Sequence, residues 1–147
     1  MDMETGDIVG LLRACLPEVL VGGPVALAYL HGSAARGQMT LGSDIDIALV
    51  VNGALPPYER LIMELDIETA LAVRYKLAYC DVRVMNDAPL VFRGKVVTEG
   101  VLLFSRDEEF RIEYEMRTQD MYFDFLPAHR EHQAAFFARL RERGLSG

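Results

Sequence analysis

The sequence predicts an α/β (α+β) fold: a small mixed sheet with flanking helices, followed by a long C-terminal helical region. Three observations predict it. Ile8, Leu11, Leu12, Cys15 and Leu16 recur at the spacing of an amphipathic helix. Three short apolar runs, Val25 to Leu30, Asp44 to Val51 and Ala78 to Met85, are separated by turn residues or helix-length segments. The last forty residues carry apolar residues at helical spacing and no further strand pattern. At 147 residues, the whole chain, 1–147, is expected to be one domain.

Taken in order, Pro17 is expected to end or kink the first helix, and Gly22-Gly23-Pro24 to turn the chain into the first strand. After the second strand, Asn52 to Pro56 reads as a loop and Pro57 suits a first helical turn. Tyr58, Leu61, Ile62, Leu65, Thr69 and Ala72 are predicted as that helix's inner face. Asn86-Asp87-Ala88-Pro89 marks a turn into a helix through about Thr98, with Gly100 as its C-cap. Val101 to Phe104 is a short last strand or a connection. The helical region spans about 107–143, capped by Ser105 or Asp107. Phe110, Tyr114, Met121 and Phe125 share one face of it, and Pro127 is expected to break or kink it. Phe136, Phe137 and Leu140, flanked by Arg139, Arg141 and Arg143, form a second apolar patch, open between core packing and a docking surface.

The segment His31-Gly32-Ser33-Ala34-Ala35-Arg36-Gly37 through Ser43-Asp44-Ile45-Asp46 carries the chemistry. Gly32 allows close backbone approach to a ligand. Ser33 falls at a helix start, where free N–H groups attract an anion. Asp44 and Asp46 are one strand period apart, so both carboxylates face one way. Two carboxylates without His or Cys between them suit a hard, oxygen-seeking ion such as Mg²⁺. Gly-Ser alone is ordinary turn composition, and Asp-x-Asp alone is an ordinary solvated strand edge. The joint pattern of strand, Gly-Ser, spacer, Ser43 turn and Asp-x-Asp running into Ile47-Ala48-Leu49-Val50-Val51 is far more specific. Asp81, set mid-strand between Cys80 and Val82, needs an ion-pair partner such as Arg83 or Arg74, or a metal.

This pattern resembles the nucleotidyltransferase superfamily of DNA polymerase beta type. More narrowly, it resembles the stand-alone minimal nucleotidyltransferases (MNT) that often form the antitoxin half of HEPN/MNT toxin–antitoxin pairs. The likeness extends to Ala35-Arg36-Gly37, to Asp81 within Tyr79-Cys80-Asp81-Val82-Arg83-Val84, to Glu99-Gly100, to Leu103-Phe104, and to the terminal Tyr122-Phe123-Asp124-Phe125. His31 departs from it, since such proteins usually carry an apolar residue there. His31 is read as a hydrogen-bonded strand-end histidine, with a ligand contact as the alternative.

The resemblance implies a polymerase-beta-like nucleotidyltransferase fold, with Asp44, Asp46 and Asp81 as catalytic and metal-binding residues. Gly32, Ser33, Arg36 and Ser43 would bind the nucleotide. It implies ATP as substrate, Mg²⁺ as cofactor (two ions), attack on the α-phosphate and release of pyrophosphate. Two ions stabilise both the attacking and the leaving oxygen, and Asp81 is open between metal ligand and general base. Arg36 is open between a phosphate contact and a surface salt bridge. The implied function is transfer of AMP to a tyrosine of a cognate HEPN toxin, an all-helical RNase, with a hetero-oligomer possible. The small size suits an acceptor that presents itself, as a protein partner does. Two alternatives stand beside it: an antitoxin acting mainly by binding its toxin, and a small-molecule nucleotidyltransferase of the aminoglycoside-modifying kind.

Composition narrows the field. The net charge of −7 and pI near 4.9 argue against direct nucleic-acid binding. Cys15 and Cys80 lie on apolar segments and read as buried small hydrophobes. No Cys/His ligand spacing suits zinc, and no Walker lysine motif suits a P-loop kinase. With an acidic N-terminus and no membrane-length apolar stretch, a cytoplasmic location is expected.

Overall fold

A computed structural model describes residues 5–37 and 44–144; Ser43 and the spacer before it lie outside the described residues. The element order is α1 (Thr5–Val19), β1 (Val25–His31), α2 (Gly32–Ala35), β2 (Ile45–Val51), α3 (Pro57–Tyr75), β3 (Cys80–Val84), α4 (Leu90–Glu99), β4 (Val101–Ser105) and α5 (Glu108–Gly144). The four strands form one mixed sheet in the order β3-β2-β1-β4. β1 is antiparallel to both β2 and β4, and β2 is parallel to β3 through the α3 crossover. Val101 to Ser105 is therefore a true edge strand and not a connection.

Strand alternation sorts the side chains into two layers. Ala28, Leu30, Ile45, Ile47, Leu49 and Val82 face α1 and α3, where they join Leu12, Leu16, Ile67 and Leu71 in the larger core. Leu27, Tyr29, Ala48 and Val50 face the other way and meet Val96 and Val97 of α4, with Phe110 and Tyr114 of α5 alongside. Gly94 permits the α4–α5 approach, since a Cβ there would lie 2.2 Å from Cγ of Tyr122.

Both sheet edges are closed by side chains. Glu64 of α3 accepts the Val84 N–H (2.7 Å) and Glu68 accepts the Val82 N–H (2.8 Å), which satisfies the outer edge of β3. At the opposite edge, Arg13 of α1 donates to the Leu102 carbonyl (2.9 and 3.0 Å). These bonds explain a correction. The inner face of α3 is Met63, Glu64, Ile67 and Leu71, whereas Tyr58, Leu61, Ile62 and Leu65 are exposed. The helix turns its carboxylates inward to serve the strand edge, and that rotation carries the predicted apolar face out to solvent.

On the other helices, Gly100 caps as expected, the two prolines do not end their helices, and the packed face of α5 differs from the expected one. Pro17 and Pro127 do not end their helices: each lies inside α1 or α5, which continues past it. Each proline leaves one carbonyl four residues earlier without its N–H donor. Those carbonyls belong to the exposed residues Arg13 and Phe123, where water is available to take the donor's place. Gly100 is the C-cap of α4, as expected, in an extended conformation (φ −78°). It is needed for proximity: a Cβ there would stand 2.4 Å from the Val96 carbonyl oxygen and 2.8 Å from that of Leu30. On α5 the packed face runs through Phe110, Tyr114, Thr118 and Tyr122, while Met121 and Phe125 are exposed. Asp107 does cap this helix, accepting the N–H groups of Glu109 and Phe110.

Candidate active site

The site lies where β1 ends and β2 begins. Gly32 adopts φ +73°, a conformation that L side chains rarely take, and swings the chain from β1 into the single turn of α2. Because β2 returns antiparallel, Asp46 pairs in register with His31. Because β3 runs parallel to β2, Asp81 pairs in register with Asp46. His31, Asp46 and Asp81 thus form a row across three adjacent strands. Ile45, Ile47 and Val82 point into the α1/α3 core, so alternation sends Asp46, Asp81 and Arg83 to the opposite face. Asp44 precedes Asp46 by one strand period at the mouth of the row.

Gly32 and Asp46 are nearly in contact. A Cβ on Gly32 would sit 2.5 Å from Oδ2 of Asp46, so the loop backbone and the carboxylate share a space that no side chain enters. Burial pushes the Asp46 carboxyl up from its ordinary range. Nearby His31 opposes that rise, and the negative charges of Asp81 and Asp44 add to it. His31 is pushed down by burial, against the pull of Asp46 and Asp81. These mutual effects place the four groups within one electrostatic neighbourhood.

Asp81 has an ion-pair partner. Arg83 Nε donates to its Oδ1 at 2.9 Å, and both side chains are well exposed. Of the two partners expected from sequence, Arg83 fills the role; Arg74 lines a separate cavity beyond α3. Among the described residues, no three His, Cys, Asp or Glu groups converge as a set able to hold a metal ion. The donor chemistry nonetheless suits a hard divalent cation: Asp44, Asp46 and Asp81 offer oxygen only, and the repulsion felt by Asp46 is of the kind a cation relieves.

Beside the row, His31, Gly32, Ala35 and Arg36 line a cavity of about 140 Å³ closed by Phe92, Lys95 and Glu99 of α4. Arg36 caps the C-terminus of α2, which brings it to the same cavity as Gly32. Ser33 sits within α2, half-buried. The His31 ring meets Phe92 edge-on, with centroids 5.3 Å apart. Phe92 and Lys95 were not legible as site residues. They recur at helical spacing, but the sequence does not say which way that face of α4 turns.

The family model described as "Polymerase beta, Nucleotidyltransferase" matches residues 18–109, which span both the Gly-Ser loop and all three aspartates. A comparison with curated proteins finds no match. Among solved structures, a chain of a toxin–antitoxin crystal structure with AMP-PNP is 26% identical with a TM-score of 0.60; the likeness covers 92% of this chain and 99% of that one. A chain of a structure of a tri-AMPylated Shewanella oneidensis HEPN toxin in complex with MNT antitoxin is 25% identical with a TM-score of 0.56, covering 91% and 95%. A chain of the toxin–antitoxin MntA-HepT structure, at 23% identity and a TM-score of 0.62, shares the fold. No helix among the described residues is long and apolar enough to cross a membrane. The loop, the row of carboxylates and the family match lead to one conclusion: the chain belongs to the polymerase beta nucleotidyltransferase family.

Proposed function

We propose that this protein is an antitoxin enzyme that transfers AMP from ATP to a tyrosine of a cognate HEPN toxin in the cytoplasm, and so silences it. One observation carries the reading. Gly32 lies against Asp46 with no room for a Cβ, so a phosphate held by the loop backbone meets the carboxylate row directly. The structures of similar chains, one with AMP-PNP and one with a tri-AMPylated HEPN toxin, support ATP as donor and a toxin as acceptor.

In this scheme the α2 turn and Ser33 orient the triphosphate, with Arg36 at its flank. Asp44 and Asp46, with Asp81 beside them, are the residues that would hold Mg²⁺, as two ions, and the bound metal neutralises phosphate charge. The tyrosine hydroxyl oxygen attacks the α-phosphorus, and a new phosphorus–oxygen bond forms. The bond from the α-phosphorus to the bridging oxygen of the β-phosphate breaks, and pyrophosphate leaves. The hydroxyl proton passes to Asp81, which exchanges its Arg83 contact for this role.

The test uses purified protein, Mg²⁺, its cognate toxin and ATP labelled at either the α- or the γ-phosphate. Label on the toxin from α-labelled ATP alone is expected. The Asp44→Asn/Asp46→Asn double variant should lose about a thousandfold or more, the several kcal/mol that charge stabilisation at such sites supplies. Transfer of the γ-label would overturn the reading. Full protection of cells by the double variant would favour neutralisation by binding. Pyrophosphate release without protein label would favour a small-molecule acceptor.

A further inference from the structure

Among the described residues, two apolar surfaces are exposed to solvent. The first is the outer side of α3. Val21, Tyr58 and Ile62 line a groove of about 450 Å³ between α3 and the end of α1. Val21 is 77% exposed and Tyr58 is 74% exposed. Glu59 and Asp66 stand along the groove, and Arg74 lines it as well. The second surface is the far half of α5. From Pro127 to Arg143, every residue whose burial is described is exposed. At 1.5 Å per residue this arm reaches roughly 25 Å past the packed part of the helix. It carries Phe136, Phe137 and Leu140, each about half exposed, with Arg139, Arg141 and Arg143 on the same last turns.

We propose that the α5 arm of one copy seats Phe136, Phe137 and Leu140 in the α1–α3 groove of a second copy, reciprocally, to form a homodimer. The arm is basic where the groove is acidic, so Arg139 and Arg143 are complementary to Glu59 and Asp66. The occupant is another molecule because α5 packs with α4 on one side of the sheet, whereas the groove belongs to the α1/α3 layer on the other. An amphipathic helix laid in an apolar groove is a common recognition mode. One such contact is small. Two related by a twofold axis close the assembly and bring the buried area toward the roughly 1,200–2,000 Å² of stable interfaces.

Sedimentation equilibrium of the unaltered protein at high micromolar concentration should give twice the 16.5 kDa of one chain, with weaker association at high salt. Phe137→Glu in the arm and Ile62→Glu in the groove should each weaken association about thirtyfold or more, as central apolar contacts do. Both positions are exposed, and unchanged circular dichroism should show that both variants fold. An equimolar mixture of the two retains one intact arm–groove contact and should form a heterodimer where neither variant self-associates. A monomer at all concentrations would overturn the proposal, as would a dimer indifferent to both substitutions. Loss of toxin binding by Phe137→Glu, with the unaltered protein monomeric, would assign the arm to the toxin instead.

Discussion

The two faces of the sheet are built to different ends. On the α1/α3 face, Leu30, Ile47, Leu49 and Val82 are sealed beneath two helices. On the opposite face α4 and α5 cover β1 and the later part of β2, while among the described residues the start of β2 and β3 is more open and holds Asp46, Asp81 and Arg83. The closed face fixes the register of the strands. The open face uses that register to line up carboxylates that would repel one another if they were free to choose. The site's geometry is held from behind, by apolar side chains on the other face of the same strands.

That division can be broken from the closed side first. Leu71→Ala removes a fully buried side chain between α3 and the sheet. It should cost about 2–5 kcal/mol in denaturant unfolding, and should lower activity only as far as it lowers the folded fraction. Gly32→Ala acts from the open side. It forces a Cβ against Asp46 in a left-handed backbone, and a displaced carboxylate at a reacting centre should cost about a hundredfold in the labelled-AMP assay. The melting temperature should fall by only a few degrees, since the strain is on the order of 1–2 kcal/mol.

The edge of β3 joins the two faces, so it sharpens the contrast. Glu64→Ala leaves the Val84 N–H without its acceptor and should destabilise by about 1–3 kcal/mol. Glu64→Gln keeps an acceptor oxygen and should recover most of that, as read by thermal melts. The smallest effect is expected at Lys95. It faces the cavity beside Arg36 and Gly32, and Lys95→Ala should raise KM for ATP a few-fold through loss of one exposed charge near the phosphates, with kcat little changed.

Much of this was legible in the residues themselves. Ile8, Leu12, Cys15 and Leu16 announce the buried face of α1 and are all buried. The Gly-Ser loop and Asp-x-Asp announce the family because the chemistry demands particular residue types at adjacent strand ends. What misled was the assumption that apolar means inward. On α3 the stripe of Tyr58, Leu61, Ile62 and Leu65 is as good an amphipathic pattern as the true inner face. Only the unpaired N–H groups of Val82 and Val84 decide which side turns in, and those groups belong to a strand fourteen or more residues away.

By itself, then, the sequence determined the order of the main helices and strands, the family and the one-period spacing of Asp44 and Asp46, because each depends on local periodicity or on residue chemistry. The tertiary structure alone decided the rotation of α3, the register that sets Asp81 beside Asp46, the closeness of Gly32 to Asp46 and the exposure of the outer half of α5. Those features depend on which groups meet across long separations, where a buried hydrogen bond outweighs an apolar stripe and no local pattern records the meeting.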